Sequence, residues 1–229
     1  MMKSDPYKRG RVLDNIRKAL SVTGDEPARI AAVEDRIAAR KKNTLPARTA
    51  LPHDERLALF VSTLEGQSAK VHKVDDPDLI PALIADILRG SNQPLSIRMG
   101  SDPFLAGLAW SREPTLERLS GKAQSSDQTS LVKAFAGVAE TGTLVMTSGP
   151  ANPVTLNYLP EAEIVVIRKA EIEGSYEAMW DRLRSVMGGT AMPRTVNFIS
   201  GPSRTADIEQ TIVMGAHGPK RLEVIIVMG

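Results

Sequence analysis

The chain has 229 residues, enough for one large α/β domain or one domain with a small helical appendage, and 42% of them are hydrophobic, as in an ordinary globular protein. It contains no cysteine, which excludes disulfides, thiolate zinc sites, a cysteine nucleophile and cysteine-ligated iron–sulfur clusters within this chain. Aromatic residues make up 4%, too few for a stacking platform on nucleic acid, and the net charge of +2 is uneven: residues 1–50 hold twelve Lys/Arg against six Asp/Glu, and the rest seventeen against twenty-one.

The first residues, Met1 to Pro6, lack the apolar centre of a secretory signal, and no apolar run reaches bilayer-spanning length. A cytoplasmic protein with no membrane span is expected. Apolar positions Val12, Leu13, Ile16 and Leu20 predict an amphipathic helix over 7–20, and Ile30, Val33 and Ile37 predict a second over 26–42. This basic helical arm over 1–50 is either a solvated pair of helices or a surface for an acidic partner; nucleic acid is not expected. The prolines of 43–52 suggest a linker to the main domain, 51–229.

In that domain Asp54 can cap a helix through Leu64, followed by a strand over 69–74, a helix over 77–89 and a strand over 94–99. Residues 101–129 read as short helices and loops. Strands follow at 142–147, 163–168, 195–200 and 221–227, with a helix over 175–187. The alternation predicts an α/β fold, an open and mostly parallel sheet flanked by helices.

Two segments concentrate chemistry. Glu140-Thr141-Gly142-Thr143 is a polar turn feeding an apolar strand; its Glu140 can be a general base, a nucleophile or an orienting group, or can merely accept backbone hydrogen bonds in a tight turn. The run Gly201 to Glu209 offers Ser203, Arg204 and Thr205 as donors for a small anion, with Asp207 and Glu209 placed to orient the guanidinium. We read Ser203 to Thr205 as an anion cradle at the start of a helix, or as a helix cap with Arg204 in a surface ion pair. His217 in the loop Gly215-Ala216-His217-Gly218-Pro219 is a general acid/base or a turn residue. The histidines, His53, His72 and His217, stand far apart with no zincin spacing, so no metal site is expected, and neither a Walker phosphate loop nor a dinucleotide fingerprint is present.

Taken in order, the segments Glu140 to Thr143, Gly201 to Glu209 and Gly215 to Pro219, with a closing strand, resemble the lactate utilization protein C family, also called YkgG, the LUD-domain proteins. The resemblance covers most of residues 50–229 and is densest in the last ninety. It implies a NagB/RpiA/CoA transferase-like domain, and a role with two iron–sulfur partners in oxidising L-lactate to pyruvate. The clusters would then lie in the partner subunits, with no cofactor in this chain. By position it marks Glu140 and His217 as catalytic candidates, and Thr141, Gly142, Thr143, Ser203, Arg204, Thr205, Asp207 and Gly218 as binding candidates for a small anionic ligand. A stand-alone enzyme acting on a sugar phosphate, acyl thioester or folate-like substrate, with Glu140 as base or nucleophile, is one alternative; a non-catalytic scaffold or regulatory subunit is another. On the ligand reading, Arg204 and Glu140 should border one pocket at the carboxyl ends of the strands, with Gly215 to Pro219 nearby.

Overall fold

A computed structural model describes residues 6–42, 44–188, 192–208 and 211–229; the side chains of 6–7, 205–208 and 211–213 are outside the description. The chain divides into two units, Met1–Thr44 and Leu45–Gly229. In the first, α1 (Pro6–Ala19) carries Arg17 and Lys18 in its last turn, where cations suit the helix dipole. Its companion α2 (Pro27–Ala39) has Pro27 in its first turn and buries no residue. The apolar stripes that shaped both helices in the sequence, Val12, Ile16, Ile30, Val33 and Ile37 among them, are exposed.

The second unit begins earlier than its first regular helix. Residues 47–49 form a 3-10 turn with Thr49 buried, and Gly174 leaves no space for a Cβ against the Thr49 carbonyl. Part of the expected linker is therefore packed against the domain. The helix α3 (His53–Gly66) follows, burying Leu57, Phe60 and Leu64 at helical spacing. Its cap is Pro52 instead of Asp54, which lies in the first turn and is bonded to Lys169 Nζ at 2.7 Å. Next come β1 (Lys70–Val74), α4 (Ile80–Gly90), β2 (Ser96–Met99) and the short α5 (Pro103–Ala106). Residues 117–120 form β3 (Glu117–Ser120), β4 is Thr129–Lys133 and β5 Ala136–Val138. The remaining elements are β6 (Thr143–Thr147), β7 (Ala162–Arg168), β8 (Ile172–Glu173), α6 (Tyr176–Val186), β9 (Val196–Ile199), β10 (Arg204–Ile208), β11 (Thr211–Met214) and β12 (Arg221–Val227).

The main sheet has the order β1-β12-β7-β4-β2-β3, and every neighbouring pair is parallel. Its central strands β7 and β12 are buried on both faces, which is why they read as near-continuous apolar runs. Alternate residues divide between two cores. Val132, Val165, Ile167, Val224 and Ile226 meet α3 on one face, while Leu131, Ile164, Val166, Ile225 and Val227 meet α4 on the other. The second sheet, β8-β5-β6-β9, is covered by Met179 of α6, and β10 and β11 form a separate hairpin. Arg98 on β2 clasps Asp127 ahead of β4 through bonds of 2.8 and 3.0 Å, and this guanidinium hydrogen bond lowers the Asp127 carboxyl below its ordinary range. From β2 the chain steps outward to β3, then returns to the far side of β2 for β4, β7 and β12. Its direction of travel thus reverses between β2 and β4, where an open α/β sheet leaves a crevice at the strands' carboxyl ends.

Candidate functional site

Gly142 has φ +59, and a Cβ there would lie 2.8 Å from the Leu64 nitrogen, so the turn between β5 and β6 can press on α3 because it carries no side chain. Thr143 opens β6 fully buried. Its Oγ1 lies 2.7 Å from Thr141 Oγ1, 3.0 Å from Tyr176 Oη and 2.6 Å from Ser200 Oγ, and Thr141 Oγ1 donates to Tyr176 Oη at 3.1 Å. Glu140 accepts the Tyr176 N–H at 3.2 Å, placing a carboxylate at the amino terminus of α6, where the helix dipole favours it. This is chemistry of orientation and capping: hydroxyls that satisfy one another across four elements.

The second motif meets the first at the end of α3. Arg204 donates to the Gln67 carbonyl at 2.9 Å and to Ser68 Oγ, while Gln67 Nε2 donates to the Thr141 carbonyl at 3.3 Å. Gly201, at φ +131, lies against the same Gln67 carbonyl. Residues 204–208 are strand β10, paired antiparallel with β11 and holding Arg204 opposite Met214. The expected helix start and helix cap at Ser203 to Thr205 are thus both overturned: the Thr-Ile-Val run after Gln210 supplies a strand partner, and a hairpin satisfies the backbone groups that a helix would have bonded internally. Ser203 instead ties the loops together. Its N–H donates to the Pro219 carbonyl at 2.8 Å, its carbonyl accepts the Gly215 N–H at 2.9 Å and its Oγ accepts the His217 N–H at 3.2 Å. Gly218 packs beside Ser203 and Tyr158, and the His217 side chain is exposed. The side chains of Thr205, Asp207 and Glu209 lie outside the described residues.

The structure therefore links Arg204 to the Glu140–Thr143 turn through Gln67, with Ser203, His217 and Gly218 grouped where β12 begins. Both groups stand at the amino ends of the parallel strands: Gln67 precedes β1, and Lys220 N–H, just before β12, donates to the Glu161 carbonyl just before β7 at 2.8 Å. The expected position at the carboxyl ends is corrected. The cause is that β9, which delivers the second motif, runs antiparallel to β6 in the smaller sheet and ends beside the Glu140 turn.

The carboxyl ends hold a different set of residues. A cleft of about 340 Å³ opens where β2 and β4 finish, lined by Asp102, Lys133, Phe135, Asn152, Glu171 and Arg182 among others. Lys133 Nζ bonds both Glu171 oxygens, at 2.7 and 2.8 Å, and the Ala134 carbonyl at 3.1 Å, so its three protons are committed. Asp102 caps α5 by accepting the Phe104 and Leu105 N–H groups. Asn152 is buried with neither amide atom hydrogen-bonded, and Arg182 Nε is likewise unpartnered. None of these was singled out in the sequence. The loops that carry Asp102 and Asn152 do follow apolar strands and are rich in small residues, a signal that a reading centred on the two dense motifs passed over; Lys133 and Arg182 need the fold to bring them near. Among the described residues no cluster of three His, Asp or Glu could hold a metal, and no helix is long and apolar enough to cross a membrane.

A solved structure, a DUF162 family protein from Deinococcus radiodurans, shares the fold with a TM-score of 0.59 at 21% identity, over 77% of this chain and 99% of that one. "Lactate utilization protein C" of Halalkalibacterium halodurans is 37% identical over 48% of this chain and 48% of its own length. "Uncharacterized protein YkgG" of Escherichia coli is 32% identical over 52% of each. The chain thus spans about half the length of these two relatives, and 78% of "Lactate utilization protein C" of Bacillus subtilis, which is 27% identical over 73% of this chain. The family model of the LUD domain matches residues 57–227, nearly the whole α/β unit, and the chain belongs to the LUD domain family.

Proposed function

We propose that this chain is a component of a lactate utilization system that oxidises L-lactate to pyruvate, acting with iron–sulfur partner proteins and binding a small anionic ligand. The observation that carries the reading is the set of relatives bearing the name lactate utilization protein C, matched on a chain whose LUD domain spans 57–227. Conversion of lactate to pyruvate releases two electrons and two protons. A chain without cysteine offers no thiolate for an iron–sulfur cluster, which fits a division of labour in which the electrons pass to clusters in the partner proteins. The cleft above an all-parallel sheet supports a ligand-binding role for this component.

Deleting the gene in its host tests the reading. Growth on L-lactate as carbon source should be lost, growth on pyruvate retained, and the intact gene should restore the first. Unimpaired growth of the deletion strain on L-lactate overturns it.

A further inference from the structure

We propose that the cleft at the carboxyl ends of β2 and β4 is the ligand site of this chain, and that it takes a small 2-hydroxy carboxylate on Asn152 and Arg182. The choice of acid rests on the lactate reading above; the site rests on the structure.

Three observations converge. The cleft lies where the chain reverses its direction across the sheet, at the crevice in which open α/β folds bind their ligands. The loop that walls it is fixed closely: Gly100, at the end of β2, has no space for a Cβ against the Ala151 carbonyl, and the Ser101 N–H donates to the Pro150 carbonyl at 3.4 Å. Two of its lining residues also carry buried polar atoms without protein partners, namely the amide nitrogen and oxygen of Asn152, a residue only 7% exposed, and Arg182 Nε. A ligand that pairs these atoms satisfies groups that the protein itself leaves without partners.

Their chemistry selects the ligand. Asn152 Nδ2 and Arg182 Nε offer two donor nitrogens, and Asn152 Oδ1 a carbonyl acceptor. A carboxylate accepts from both donors, and a neighbouring hydroxyl donates to Asn152 Oδ1; an oxo group in its place has no proton to give. Lys133 is committed to both Glu171 oxygens, whereas Arg182, paired with Glu173 through Nη1, keeps its Nε without a partner. Its hold on Glu173 is long, at 3.5 Å. Phe135, which the guanidinium overlies at 5.7 Å, and Pro150 give apolar wall to the rest of the acid.

Isothermal titration of the full chain with L-lactate, with pyruvate and with inorganic phosphate tests the site. Saturable L-lactate binding is expected, with pyruvate weaker by about tenfold, the worth of one hydrogen bond in a closed site, and phosphate weaker still. Asn152→Leu and Arg182→Gln should each weaken L-lactate by about tenfold or more. Because Arg182 also holds Glu173 and Phe135, Asn152→Asp provides a second variant that keeps the size of the side chain and repels the carboxylate, with the same loss expected. Wild-type affinity in Asn152→Asp and Arg182→Gln, or no saturable binding of L-lactate by the folded chain, overturns the site. The two proposals fail separately. Binding at the cleft in a protein whose deletion strain still grows on L-lactate keeps the site and removes the lactate reading; loss of growth without L-lactate binding does the reverse.

Discussion

Glu163 stands on β7 between Ser130 and Leu222 with no exposed surface, and neither carboxylate oxygen is hydrogen-bonded. Burial alone holds its carboxyl well above the ordinary 4.5, so the folded protein keeps it protonated where the unfolded chain has lost the proton. Below the unfolded value both states are protonated and the group contributes nothing; as pH rises above it, stability falls until the folded carboxyl also ionises. Glu163→Gln removes this dependence. Chemical denaturation from pH 4 to pH 8 should show the variant gaining on the wild type as pH rises, and a constant difference would contradict the assignment. The comparison between proteins isolates Glu163 from Asp127, whose depressed carboxyl acts in the opposite sense, losing stability as pH falls. At this scale the sequence marks residues by type and is silent about their partners. Glu140, Thr143 and Arg204 stood out by type, yet their partners, Tyr176, Ser200 and Gln67, lie between 33 and 137 residues away along the chain.

The elements that were legible are those whose burial follows a simple period. The helices α3 and α4, and the strands β7 and β12, carry long apolar patterns and were anticipated within a few residues. The strand β3 was not, because Glu117 and Arg118 leave it largely exposed at the sheet edge, and β5 has three residues, too few to establish alternation. The run at 142–147 was recognised as a strand, but propensity cannot say that it joins the smaller sheet and pairs antiparallel with β9. Its turn can be tested directly. Gly142→Ala should lower stability by about 1–3 kcal/mol, combining a left-handed backbone with a Cβ too close to α3. Gly121 also has positive φ but open space around it, so Gly121→Ala should cost less. Equal denaturation midpoints for the two variants would place the cost in the backbone alone and remove the packing argument.

At the scale of the molecule, the α/β architecture was legible from the alternation of strand and helix signals, whereas the cleft was not. Its lining comes from the ends of β2 and β4, the loop after β6, the turn before β8 and the helix α6, a set assembled by the strand order. The two dense motifs gather instead at the amino ends, where Gln67 and Ser203 join them to the starts of β1 and β12. The domain thus has two distinct ends, and our account gives the carboxyl end to the ligand and the electron-carrying clusters to other chains. Purifying the tagged chain from its native host, without disrupting its complexes, tests that division most directly. The account predicts that iron–sulfur proteins are recovered with it, and that the recovered assembly reduces an artificial electron acceptor when L-lactate is added, forming one pyruvate for every two electrons. Recovery of the chain alone, with L-lactate oxidation left intact in the remaining extract, would contradict it.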